Sequence, residues 1–376
     1  MKSSSRHSKS RSSGKCPCGF VDVQAFGAKG NGKADDAPVI KQAIAALPAN
    51  GGIVCFPPGI FKVGETLKFG SSVVFQGAGA RATVIKSNLE AAIFQSKKPS
   101  ERHYFVHFRD MKIDNTAKAN ANSIGIDFTN VSLGGIRNVF VTNVETGILL
   151  RRKAYYNDLF SPIIIQAITG IKMIGGANEN RTFGGKIDQV RVGIIMDSVS
   201  NPQIHSTSFE NFGIGIEMGP AKVASPKVIG CRFENSSPSP SGTGIAISSK
   251  TQAGIIIGPY FWNVQTVIQD NATNTNILAD RNWKISGGTS VKKHLSVQQT
   301  IDFPPLSAHS THDELIAMSG LAATDSVLAT PHASIEAGLM VMGIAAAGGV
   351  RVRMANMTGA AINPQSQRFT IDVWQH

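Results

Sequence analysis

Gly147-Ile148-Leu149-Leu150, Gly170-Ile171-Lys172-Met173, Gly193-Ile194-Ile195-Met196 and Gly215-Ile216-Glu217-Met218 repeat one phrase: glycine, isoleucine, any residue, then a large apolar one. Gly125-Ile126-Asp127-Phe128 precedes them and Gly244-Ile245-Ala246-Ile247 follows, so the six glycines advance along the chain in steps of 22, 23, 23, 22 and 29. A near-constant step of this size is the mark of a solenoid in which each repeat is one turn. Within a phrase, Ile126 and Phe128 share one face while Asp127 takes the other. That is strand periodicity, and stacked turns of short strands make a parallel β-helix.

A second apolar run, ending in an amide, lies between the phrases: Val141-Thr142-Asn143, Ile164-Ile165-Gln166, Ile187-Asp188-Gln189, Phe209-Glu210-Asn211, Phe233-Glu234-Asn235 and Phe261-Trp262-Asn263. The amides advance in steps of 23, 23, 22, 24 and 28. The repeat predicts an Asn/Gln ladder in which each side chain bonds the next. The residues just before the amides point outward. Asp188, Glu210 and Glu234 therefore form a column of carboxylates with Trp262 at its end, adjacent turns being about 4.8 Å apart.

The 376 residues need not divide into several globular domains, because a solenoid grows by length. With 42% hydrophobic residues, 38 glycines and only 16% charged residues, the chain suits a turn-rich all-β body. Of the net charge of +12, five units come from Lys2, Arg6, Lys9, Arg11 and Lys15 in a start that holds no acid. The remaining excess forms no basic stripe beside stacking aromatics, which argues against nucleic-acid binding. Residues 1–17 are too polar to bury a core and read as a disordered basic tail, suited to docking on an acidic partner. The start lacks an apolar h-region, so it does not read as a secretion signal, and no run of 18 apolar residues suggests a membrane span. Cys16, Cys18, Cys55 and Cys231 lack metal-site spacing and are expected as free thiols; no metal or cofactor is expected.

The chain opens with Phe20-Val21-Asp22-Val23-Gln24-Ala25-Phe26-Gly27-Ala28-Lys29-Gly30-Asn31-Gly32-Lys33-Ala34-Asp35-Asp36, a strand entering a glycine-rich loop. Asp36 is the expected N-cap of a helix with Pro38 in its first turn and an apolar stripe of Ile40, Ile44 and Leu47. Gly51-Gly52-Ile53-Val54-Cys55-Phe56-Pro57-Pro58-Gly59-Ile60-Phe61 follows. These stretches resemble the opening motif of the pectate-lyase-like superfamily: a strand, a Gly-Ala-x-Gly-Asp-Gly-x-x-Asp-Asp loop, and a helix that caps a right-handed β-helix. Asn31 stands where the family usually has Asp, and Ala37 where it often has Thr. The resemblance implies an all-β, right-handed parallel β-helix over 18–285 with an N-terminal capping helix. Asp35 and Asp36 are accordingly read as loop and cap residues rather than a catalytic pair.

Further strands are expected at 72–76, 83–86, 92–95 and 104–110. His103 and His107 would share one strand face about 13 Å apart, too far for one metal. The long step of 29 is accounted for by Ser236-Ser237-Pro238-Ser239-Pro240-Ser241-Gly242, a polar loop on one turn. Residues 286–306 read as a linker. Beyond it, Val350-Arg351-Val352-Arg353-Met354 alternates, residues 339–345 are apolar, and Phe369-Thr370-Ile371-Asp372-Val373-Trp374 makes a closing strand, so 307–376 read as a small antiparallel β-sandwich. His309-Ser310-Thr311-His312-Asp313 is expected as a turn. Gly320-Leu321-Ala322-Ala323-Thr324-Asp325-Ser326-Val327 and residues 352–364 are similar to a β-domain that closes many bacteriophage virion and tail proteins, which implies a trimerising or receptor-facing end.

Glycoside hydrolysis needs two carboxylates, about 5 Å apart for retention and about 6.5–9.5 Å for inversion, which neighbouring or alternate turns of Asp188, Glu210 and Glu234 would supply. Trp262 would stack on a sugar ring. The alternative for the column is a solvated face neutralised by Lys or Arg. The Asn-Thr-Asp, Asp-Asp, Gly-His and Arg-x-Lys series of polygalacturonases is missing, as is a pectate lyase's calcium-binding Asp cluster. These readings together predict a homotrimeric bacteriophage tailspike in the virion tail, assembled in the host cytoplasm and attached to a virion protein through its basic tail. It would bind host surface polysaccharide, with the carboxylate column as the candidate site for cleaving it. A stand-alone lyase or glycoside hydrolase and a non-catalytic virion decoration are the alternatives.

Overall fold

The computed structural model describes residues 15–16, 20–116, 122–272, 275–278, 285–286 and 293–375. Most of the basic tail, residues 1–14, lies outside them, as do the expected rung end at Trp283 and the Cys18 thiol. Lys15–Cys16 pairs antiparallel with Phe20–Asp22. The described residues divide into two units, one holding those up to Thr275 with 285–286, the other holding 276–278 and 293–375.

The first unit is a right-handed parallel β-solenoid of about ten turns. Its glycine-isoleucine phrases lie in register: Ile126 on Ile148, then Ile171, Ile194, Ile216 and Ile245. These isoleucines are fully buried, and Phe128, Leu150, Met173, Met196, Met218 and Ile247 form a second inward column. The glycine of the phrase has a steric cause. A Cβ at Gly193 would lie 2.4 Å from the Gly215 carbonyl oxygen and 2.6 Å from Phe209 Cδ1. Only a hydrogen fits between the stacked backbones and the core.

The amide column does not form the expected ladder. Asn143, Gln166, Gln189, Asn211 and Asn263 have φ of 60°, 57°, 53°, 49° and 55°, the left-handed conformation that turns each strand through a one-residue corner. This turns the amides outward: Asn143 Nδ2 donates to Asp114 Oδ1 at 3.0 Å and Asn211 Nδ2 to Asp188 Oδ1 at 2.9 Å. At the fifth corner the loop between Arg232–Glu234 and Ser241–Ile247 replaces the single-residue bend, and Asn235 is buried, its Nδ2 donating to the Ser241 carbonyl at 2.7 Å. A buried amide pair sits elsewhere, where Asn157 Nδ2 donates to Asn180 Oδ1 at 2.9 Å.

Helix Ala37–Ala45 closes the N-terminal end and buries Ala37, Ile40 and Ala43; Leu47 lies beyond its last turn. Asp36 occupies the N-cap position, yet its carboxylate accepts from the Lys29 and Gly30 amides at 2.6 and 3.1 Å, holding the glycine loop. The neighbouring Asp35 carboxylate accepts from the Ala37 and Gly64 amides, both at 3.0 Å. His103 and His107 do not share a strand. Phe105 has φ of 58°, breaking the chain into His103–Tyr104 and His107–Asn115.

The second unit is a pair of three-stranded antiparallel sheets. Lys293–Ile301, inside the expected linker, is a full strand paired with Gln367–Gln375, which also pairs with Ser326–Pro331. Its period-2 pattern (Leu295, Val297, Ile301) lets it pack on the core of Phe369, Ile371 and Val373. The other sheet joins Thr311–Ala317, Gly349–Asn356 and Leu339–Ala346. The expected turn at 309–313 therefore becomes strand from Thr311 onward. Here Arg353 donates to both Asp313 oxygens at 2.7 and 2.9 Å and holds that carboxyl below the usual carboxylate range. A depressed folded-state value stabilises above the unfolded pKa of about 3.9 and is lost as pH falls through the folded one. Below about pH 4 the melting temperature of wild type is expected to fall, and Asp313→Asn to flatten that fall.

Candidate functional site

Outward side chains follow from the same register. On the strands that end at the amide positions, Asp188 lies beside Glu210, Glu210 beside Glu234, and Glu234 beside Trp262. The four sequence-predicted site residues thus stand in one column. Two residues earlier, also facing outward, runs a second column of Lys186, Ser208, Arg232 and Tyr260. Lys186 Nζ lies 3.3 Å from Asp188 Oδ2 and 2.7 Å from Glu210 Oε2, and Arg232 pairs with Glu234. Lys186 is held above the usual lysine range, first by its bond to Glu210 and then by Asp188, against its burial. The period-2 pattern could have revealed both cations, since each precedes its acid by two residues.

The column is therefore a row of three carboxylates paired with two cations rather than a stack of bare ones. Asp188 is buried, while Tyr260 and Trp262 are 40% and 49% exposed at the end of the row. The polar loop 236–240 is exposed close by, its start fixed where the Ser236 amide donates to Asn211 Oδ1 at 3.0 Å. Such a surface offers charge-assisted hydrogen bonds beside an aromatic surface, the chemistry that holds sugars.

A cleft of about 550 Å³ lies on an adjacent outward face. Its floor is Gly134 and Gly135, and its walls carry His107, Arg109, Arg137, Asp158, Phe160 and Arg181. Phe105, Leu133 and Tyr156 line its edge from left-handed corners, φ 58°, 56° and 57°, which turn large apolar groups outward. Arg181 clamps Asp158 with Nε and Nη2 at 2.6 and 3.1 Å. Burial and then Arg109 push His107 below the usual histidine range, with Asp158 opposing. Sequence reasoning missed this cleft apart from His107, because its residues lie on each turn outside the glycine-isoleucine phrase.

Among the described residues, no group of three or more His, Cys, Asp or Glu side chains is placed to hold a metal, and no helix is long and apolar enough to cross a membrane. Cys55 and Cys231 are free, and burial pushes the Cys231 thiol up to about 12.

A family model described as rhamnogalacturonase A/epimerase, pectate lyase-like, matches residues 20–293. No curated protein sequence matches. Among solved structures, ORF18 of Geobacillus virus E2 is 17% identical, with 93% of this chain and 76% of that one covered at a TM-score of 0.56. The tailspike protein of Acinetobacter baumannii phage AM24 is 10% identical, with 95% and 83% covered at 0.52. A DFA-IIIase from Arthrobacter chlorophenolicus A6, solved with DFA-III, is 13% identical over 69% of each chain at 0.55. At these identities the likeness is one of fold.

Proposed function

The chain belongs to the pectate-lyase-like family of rhamnogalacturonase A/epimerase type, and from that premise we propose that it is a tailspike-like component of a bacteriophage virion tail that binds host surface polysaccharide. The observation that carries this reading is the outward row from Lys186 to Trp262, with paired charges along it and two half-exposed aromatic rings at its end. Trp262 and Tyr260 stack on sugar rings, and Asp188, Glu210 and Glu234 accept hydrogen bonds from hydroxyls. The fold shared with the AM24 tailspike over 95% of this chain supports the virion setting. The basic tail serves as the attachment to a virion protein, with assembly in the host cytoplasm.

The working particle is a homotrimer. Leu315, Met340 and Met342 are each half-exposed or more on one face of the C-terminal sheet. Apolar groups clustered on one face mark a contact surface. A mass measurement in solution is expected to return three copies, and a monomer would contradict this.

Cleavage is the second reading, favoured by the stacking of Glu210 and Glu234 on adjacent turns. A retaining hydrolase holds its two carboxyls about 5 Å apart, as adjacent turns do. Purified protein is incubated with host polysaccharide and new reducing ends are measured. Trp262→Ala is expected to weaken binding about tenfold, or about 1.4 kcal/mol. If reducing ends appear, Glu210→Gln and Glu234→Gln should each abolish them; cleavage retained in both would remove these residues from the mechanism.

A further inference from the structure

We infer that the glycine-floored cleft at His107, Arg137 and Asp158 binds an anionic sugar residue of the polysaccharide, one bearing a carboxylate or an ester anion. This inference rests on the polysaccharide reading and assigns its charged residue to a place apart from the ion-paired row. Arg109 and Arg137 are register neighbours on successive turns, which sets their backbones about 4.8 Å apart. Both are exposed, and among the described residues neither enters an ion pair. Of the other charged groups lining the cleft, Arg181 is clamped on Asp158, and burial and then Arg109 push His107 below the usual histidine range.

Two features suit an anion carried on a sugar ring rather than a small free ion. Arg137 Cζ lies 5.3 Å from the Phe160 ring centroid, so the flat guanidinium is oriented in advance on an aromatic face. Phe160 in turn stacks on Phe183 at 5.1 Å and 15°, and Phe183 on His205 at 5.1 Å and 16°, a rigid support running three turns along the axis. Gly135 is the second feature. It lies in the outward column between His107 and Asp158, and a Cβ there would stand 2.9 Å from the Asp158 carbonyl oxygen and 3.2 Å from His107 Nδ1. No side chain fits there, so the His107 imidazole packs directly against bare backbone between the two arginine-bearing turns and the cleft lining. Phe105 and Tyr156 at the edge supply apolar surface for the ring. A pair of planar guanidiniums in a cleft edged by exposed rings fits an anionic substituent carried on a sugar.

The acidic row cannot take the same group. Its cations are already spent on Asp188, Glu210 and Glu234, so an anion there meets no unpaired positive charge. Neutral sugars suit that row, and the charged residue suits the cleft.

The test is titration of the full-length protein with three hexasaccharides: a galacturonate oligomer, its carboxyl-reduced neutral counterpart, and a sulfated galactan oligomer. At least one anionic hexamer is expected to bind at least tenfold more tightly than the neutral one, and the ratio between the two anionic arms identifies carboxylate or sulfate as the group. Raising salt from 50 to 500 mM should weaken that binding about tenfold. The Arg109→Ala/Arg137→Ala double variant should lose it at least tenfold while keeping its circular dichroism spectrum, and Arg109→Lys/Arg137→Lys should recover part. Equal affinity for charged and neutral oligomers, or binding indifferent to the arginines, overturns the cleft while leaving the polysaccharide reading standing. Binding of neither class, together with no binding of host polysaccharide, overturns both.

Discussion

Phe233→Ala is expected to destabilise the solenoid by about 3–5 kcal/mol, the usual cost of removing a buried aromatic ring. Phe233 is fully buried and sandwiched between Phe209 at 4.8 Å and 4° and Phe261 at 4.9 Å and 18°, with Phe212 edge-on at 6.0 Å. It also abuts Gly215, where a Cβ would lie 2.6 Å from its ring, so no neighbouring side chain is placed to fill the gap. In a solenoid each turn is stabilised only by the turns beside it. Losing this ring therefore weakens two interfaces, and the turns carrying Glu210, Glu234 and Trp262 lose their backing. Urea unfolding followed by circular dichroism should show the change; a shift under about 1 kcal/mol would mean that the stacked rings do not carry the core.

Asp127→Ala is expected to cost about 3 kcal/mol, the lower end of what breaking a buried ion pair costs, because Arg151 keeps part of its solvent contact. The Asp127 side chain is fully buried. Its carboxylate accepts from Gln95 Nε2 and the Thr129 amide, both at 2.9 Å, from the Thr129 hydroxyl, and from Arg151 Nη2 at 3.4 Å. Removing it strands a buried amide and leaves Arg151 with only its 2.6 Å bond to Thr129 Oγ1. The Asp127→Asn variant keeps the acceptor oxygen and should lose about half as much. Thermal melts of the two variants test this, and equal stability of alanine and wild type would contradict the buried network.

These two residues also mark what can be read in the sequence. The near-constant step between glycine-isoleucine phrases is enough to register the isoleucines and to gather Asp188, Glu210, Glu234 and Trp262 into one column, because a parallel stack repeats its geometry at each turn. Alternation puts Asp127 on the outer side of its strand but carries no information about what covers that side. The amides fail as a ladder for a related reason. Their spacing fixes a column, while the left-handed φ that turns them outward is a backbone property that Asn shares with many corner residues. The cleft is hidden more thoroughly. Arg109, Arg137 and Phe160 come from three successive turns, outside the repeating phrase, and nothing in their local pattern shows that they stack. The Lys293–Ile301 strand reads as linker because its partner, Gln367–Gln375, is the last strand of the chain, with four others between them.

The most direct measurement is surface plasmon resonance of the purified full-length protein over immobilised surface polysaccharide from the bacterium the virion infects, with polysaccharide from a non-host strain as reference. Saturable binding to the host glycan is expected, weakened about tenfold by Trp262→Ala and absent on the reference surface. Equal or absent binding on both surfaces, from protein whose circular dichroism shows the folded solenoid, would contradict a glycan-binding spike.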